Sequence, residues 1–66
     1  MENLIIEYVR KNPGMRKRAV ASGIGVLFTA DFLKTFTSLV KNGILREVDI
    51  REPANMEFFS RYYINE

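Results

Sequence analysis

The chain has 66 residues, ten of them Lys or Arg and eight Asp or Glu, for a net charge of +2 at neutral pH. It contains neither cysteine nor histidine, which removes disulfides, thiolate chemistry and most zinc sites. A chain of 66 residues with 47% apolar content is expected to form one folded domain over 1–66, with a core small enough to gain from a partner subunit.

Residues 2–11 place Leu4, Ile5, Tyr8 and Val9 on one helical stripe. Glu2 and Glu7 lie toward its start and Arg10 and Lys11 in its last turn, as the helix dipole favours. The N-terminus has no positive charge before its apolar residues, so no secretory signal is expected. Asn12-Pro13-Gly14 ends the helix, because the residue before proline is driven out of helical geometry.

Residues 15–22 read as a short second helix with Ala19 and Val20 inward. Gly23 and Gly25 flank Ile24 and allow a sharp turn. Val26-Leu27-Phe28 then reads as a buried apolar connection, longer than the usual turn between two such helices. The apolar run 23–28, counting glycines, is far short of the roughly 20 residues of a membrane span. No membrane contact is expected, and the expected compartment is the cytoplasm.

A third helix is predicted over 31–42. Thr29 caps it and Asp31 falls in its first turn. Phe32, Phe36, Leu39, Val40 and Gly43 form one face, with Leu33 on its shoulder. Asp31, Lys34, Thr35, Ser38, Lys41 and Asn42 form the other. Asn42-Gly43 ends the helix with a left-handed residue.

Two strands follow. Over 44–50, Ile44, Arg46, Val48 and Ile50 alternate with Leu45, Glu47 and Asp49. Residues 51–56 form the turn. Over 58–65, Phe58, Ser60, Tyr62 and Ile64 share one side, with Phe59, Arg61, Tyr63 and Asn65 on the other. A third short strand is expected to join them near Met15 or Val26.

Catalysis fails on inventory. Without histidine or cysteine, with scattered acids and with no phosphate-binding glycine loop, the chain is not expected to be an enzyme. No metal, cofactor or small-molecule substrate is expected either. Function must come from a surface.

Four features are candidates. Lys34, Thr35 and Ser38 line up on the third helix, where lysine can donate to guanine and threonine can meet a thymine methyl. The same face also suits a plain wet side of an amphipathic helix. Arg16-Lys17-Arg18 opens the second helix, where cations oppose the dipole. A DNA phosphate gives them a reason to be there, and a solvated basic corner is the alternative. In the turn, Arg51 and Asn55 could reach DNA, opposed by Glu52 and Glu57. Finally, Phe59 and Tyr63 face away from the core side of the last strand. Together with Leu4, Ile5 and Ile6 on the first helix they suggest a partner surface. Cover from the first helix and the chain ends is the alternative.

The order helix, helix, helix, strand, turn, strand resembles the winged helix-turn-helix superfamily, an α+β design of three helices followed by a two-stranded β-hairpin wing. The resemblance covers nearly the whole chain. It rests on Leu4-Ile5-Ile6-Glu7-Tyr8-Val9 followed by Asn12-Pro13-Gly14, on Arg16-Lys17-Arg18-Ala19-Val20-Ala21, and above all on Leu39-Val40-Lys41-Asn42-Gly43-Ile44-Leu45. Many members end the recognition helix with leucine, polar residues, glycine and two apolar residues entering the wing. The resemblance implies a small transcriptional regulator that binds double-stranded DNA, similar in size to regulators of prokaryotes and viruses. It makes the third helix the recognition helix and places Lys34, Thr35, Ser38 and Lys41 at DNA. Arg16, Lys17 and Arg18 are the expected phosphate anchors, with Arg51 at the wing. A homodimer is expected, since two-fold symmetry matches palindromic sites. The alternative is a winged-helix module that binds a protein partner and no DNA.

Overall fold

The computed structural model describes residues 1–52 and 57–66, with side-chain detail up to Arg51 and again from Phe59. The expected turn residues Pro53, Ala54, Asn55 and Met56 lie outside the described residues, as do the side chains of Glu52, Glu57 and Phe58. Three helices, α1 (Glu2–Lys11), α2 (Lys17–Gly23) and α3 (Ala30–Lys41), precede two antiparallel strands, β1 (Leu45–Glu52) and β2 (Glu57–Ile64).

Helix α1 buries Ile5 and Val9 completely, while Ile6 and Tyr8 are half-buried and Leu4 is exposed. Ile5 is thus committed to the chain's own core, and only Leu4 of the expected partner stripe is left outside. Asn12 closes the helix twice over, because its backbone N–H and its side-chain amide both donate to the Tyr8 carbonyl, at 2.8 and 3.1 Å.

Helix α2 starts two residues later than the sequence suggests. Met15 is spent on an isolated antiparallel bridge to Tyr62; in place of the expected third strand, the sheet has two strands and this single bridge among the described residues. The Gly14 N–H donates to the Tyr62 carbonyl (2.9 Å) and the Tyr62 N–H to the Met15 carbonyl (3.1 Å). Arg16 is still extended (φ −80°, ψ 159°), and the helix turns in only at Lys17. The inward pair shifts accordingly: Val20 and Ala21 are buried, and Ala19 is half-buried. Gly23 closes α2 because the ring of Tyr8 packs where a β-carbon would stand. Space, rather than backbone freedom, is what Gly23 provides.

The segment after α2 departs from the expected buried connection. Val26 is half-buried, but Leu27 is 80% exposed and Phe28 37%. Phe32 and Phe36 already fill the space below, so the ring of Phe28 can only lean on Phe32 from outside, with centroids 5.8 Å apart.

Helix α3 begins at the expected cap, where Thr29 Oγ1 accepts from the Phe32 N–H at 3.4 Å. Phe32, Phe36 and Leu39 are buried. An aromatic line continues from Phe32 to Phe36 (5.5 Å) and from Phe36 edge-on to Tyr62 (4.6 Å), fixing the sheet against α3. Gly43 takes the left-handed conformation (φ +78°). Its N–H donates to Val40 and the Ile44 N–H to Leu39, so orphan carbonyls of α3 are satisfied as the chain reverses into β1.

Leu45 pairs with Ile64, Glu47 with Tyr62 and Asp49 with Ser60. The face that meets the core is therefore that of Leu45 and Tyr62, exposed by 2% and 1%. Ile44 points out, because β1 touches the core only at its first residue before running off into the hairpin. Glu47 and Asp49 share the inner face and are held by hydroxyls. Tyr62 donates to Glu47 Oε2, and Ser60 to Asp49 Oδ1, both at 2.8 Å.

Candidate nucleic-acid interface

Packing of Phe32, Phe36 and Leu39 inward leaves the opposite side of α3 uncovered. Asp31, Lys34, Thr37, Ser38, Lys41 and Asn42 are exposed and Thr35 is half-buried. Lys34, Thr37 and Lys41, three and four residues apart, make one outward line, with Ser38 beside it and Thr35 on its shoulder. Ser38 Oγ accepts from the Asn42 side-chain amide at 3.4 Å. Thr37 was not among the expected site residues; a helical wheel centred on Lys34 and Lys41 rather than on Asp31 would have found it.

The three consecutive cations at α2 splay apart. The Arg16 guanidinium lies 4.0 Å from the Phe59 ring centroid, Lys17 Nζ 5.9 Å from that of Tyr62, and the Arg18 guanidinium 4.6 Å from that of Phe28. All three nonetheless line one open groove together with Phe59, Ser60 and Tyr62. Among the described residues, none of Arg16, Lys17, Arg18, Lys34 and Lys41 ion-pairs with a carboxylate; Arg10 does, with Glu66 at 3.6 Å. Cations that, among the described residues, pair with no carboxylate set up a positive field that favours a polyanion.

Arg51 is exposed on β1, in a hollow of the hairpin with Asp49, Ile50, Phe59 and Ser60. It stands away from the α3 line, on the wing. Two further arginines join the outer face of the sheet. Arg46 lies 5.2 Å from the Tyr63 ring, and Arg61 lies 5.2 Å from the Phe59 ring while its Nη1 donates to the Gly14 carbonyl at 2.8 Å. Phe59 and Tyr63 do face away from the core, but they are half-buried, covered by these arginines and by the 14–16 segment. Strand alternation already put Arg46 on one face and Arg61 on another. The register that merges the two faces is what the sequence lacks.

The fold clearly shifts the ionisation of the Tyr62 phenol. Burial pushes its pKa far up, and the hydrogen bond and negative charge of Glu47 push it further. It stays a neutral donor at any physiological pH. Among the described residues no cluster of acids is placed to hold a metal ion, and no helix is long and apolar enough to cross a membrane.

No protein-family model matches this chain, and no curated protein matches it in sequence. In structure it is similar to the PcaV transcriptional regulator of Streptomyces coelicolor, solved in complex with its natural ligand. The TM-score is 0.74 at 17% sequence identity, over 98% of this chain and 43% of the regulator. The chain therefore spans less than half the length of that protein, and the likeness is one of fold. The fold is α+β, three helices followed by a two-stranded antiparallel hairpin, in the winged helix-turn-helix arrangement.

Proposed function

We propose that residues 1–66 form one winged helix-turn-helix domain that binds double-stranded DNA as a transcriptional regulator, without catalytic activity. Helix α3 enters the major groove, presenting Lys34, Thr35, Ser38 and Lys41, with Thr37 between the two lysines. Arg16, Lys17 and Arg18 meet phosphates, and Arg51 reaches the DNA from the wing. The observation that carries this reading is the open polar side of α3 lying in the same molecule as a groove whose lining, among the described residues, has three cations and no carboxylate. The fold likeness to a transcriptional regulator supports it. The ligand of PcaV is not carried over to this chain at that level of identity.

A homodimer is part of the proposal. Met1, just before α1, and Leu4 in its first turn expose apolar surface, by 48% and 55%, and a second copy covering them would supply stability and a two-fold reader. The proposed compartment is the cytoplasm of the cell whose DNA is read. The competing reading, a protein-binding module without affinity for DNA, draws support from the 80% exposure of Leu27. Selection of bound sequences from random duplex DNA separates the two. The Arg16→Ala, Lys17→Ala double variant is expected to weaken binding to every duplex alike, whereas Lys34→Ala or Ser38→Ala shifts the preferred sequence. Failure to enrich any duplex, or indifference to all of these changes, would sink the DNA reading.

A further inference from the structure

Strand β2 has two edges. One is laddered to β1. On the other, the main chain of Tyr62 bonds to Gly14 and Met15. In an antiparallel sheet the main-chain groups of every second residue point to the same edge. Ser60 therefore sends its N–H and C=O to the edge that Tyr62 uses. There the covering segment gives out: Arg16 is its last extended residue, and Lys17 turns the chain away into α2. Ser60 is left as an open strand edge. Its hydroxyl is occupied by Asp49, so what it offers is backbone.

An open edge is a template for an added strand, and its surroundings decide which strand. The groove beside Ser60 encloses about 310 Å³ and is lined, among the described residues, by Arg16, Lys17, Arg18, Phe59, Ser60 and Tyr62, with no carboxylate in the lining itself; Asp49 and Glu47 are held by the Ser60 and Tyr62 hydroxyls. A second copy pairing edge to edge would oppose its own three cations to these, and like charges facing each other across strands repel. A basic segment is rejected on the same ground. An extended acidic segment gains from every feature. Its backbone pairs with Ser60, its acids meet Lys17 and Arg18, and its alternate apolar side chains lie along Phe59 and the stem of Arg16.

We propose that the Ser60 edge of β2 is a docking site for an extended acidic peptide segment, which adds as a further strand and takes Arg16, Lys17 and Arg18 as its charge partners. The site shares those cations with the proposed phosphate contacts, but the docking does not depend on the DNA reading, so DNA-free protein is the material for the test.

The probe is a blocked synthetic peptide of alternating valine and glutamate, titrated into the isotope-labelled full chain and followed by NMR. The Ser60 amide is expected to shift, to exchange more slowly with solvent, and to do both less at high salt. A peptide of the same sequence with methylated backbone nitrogens keeps the charge but cannot pair, and is expected not to bind. Ser60→Pro removes the open N–H while leaving the β1 ladder to Phe59 and Arg61. It is expected to weaken peptide binding about tenfold, whereas Lys34→Ala on α3, outside this groove, leaves peptide binding unchanged and alters duplex preference, which keeps the two proposals separable. Three results would overturn the docking site. They are no binding of the acidic peptide, equal binding of its methylated form, and slow Ser60 exchange with self-association in peptide-free protein, which would make a second copy the occupant.

Discussion

Replacing Tyr62 by phenylalanine removes one oxygen from the point where the core meets the wing. The ring keeps its edge-on contact with Phe36 at 4.6 Å, and the backbone bridge to Met15 is untouched. What is lost is the 2.8 Å bond to Glu47. Hydrogen bonds to charged groups contribute about 1.5–3 kcal/mol, but Glu47 is exposed and rehydrates, so a loss of about 1 kcal/mol is expected at pH 7. Against a total of roughly 3–10 kcal/mol for a domain of this length, that lowers Tm by about 4–8 °C. The pH dependence is the sharper part. The folded phenol pKa is raised above the unfolded value near 10, so its contribution is complete below pH 10. Above that, the unfolded chain releases the proton and the folded chain does not. Stability then falls by at most about 1.4 kcal/mol per pH unit. Phenylalanine has no such loss. The gap between the two proteins should close at about pH 10.5–11. Urea titrations followed by circular dichroism at several pH values measure it, and a gap of the same size at pH 8 and pH 11 would refute the reasoning.

Two further substitutions test the packing. Leu45→Ala, at a position 2% exposed, is expected to cost about 2–5 kcal/mol, and Ile44→Ala, at one 39% exposed, less than about 1 kcal/mol; chemical denaturation ranks them, and the reverse order would mean the sheet is inserted by its other face. Gly23→Ala drives a methyl into the Tyr8 ring, so it should cost about 1–3 kcal/mol less the roughly 1 kcal/mol that alanine returns to a helix. In a Tyr8→Ala background that cost should vanish, and an unchanged cost there would disprove the contact.

Where a single residue type dictates local geometry, the sequence was readable. Thr29 caps α3, Gly43 reverses the chain and Asn12 ends α1, each where its chemistry demands. The exposed α3 face followed from periodicity alone, because three aromatic or aliphatic side chains per two turns leave no doubt about which side is wet. Non-local facts were out of reach. Met15 could have begun α2; the bridge to Tyr62, 47 positions away in sequence, claims it instead. The cluster 16–18 read as one patch, yet each cation finds a different ring, since which aromatic lies above it depends on strand register. Leu27 read as buried because it is apolar and sits between apolar neighbours; it is excluded because Phe32 and Phe36 had already filled the core.

The most direct measurement of DNA binding is duplex affinity as a function of salt. Each phosphate neutralised contributes about 0.9 to the slope of log affinity against log salt, so contacts by Arg16, Lys17 and Arg18 alone give about −2.7. That is a loss of about forty-fold between 50 and 200 mM, and lysines on α3 that also reach phosphates steepen it. A flat response, or no binding at the lower salt, would contradict a phosphate-gripping surface at the head of α2.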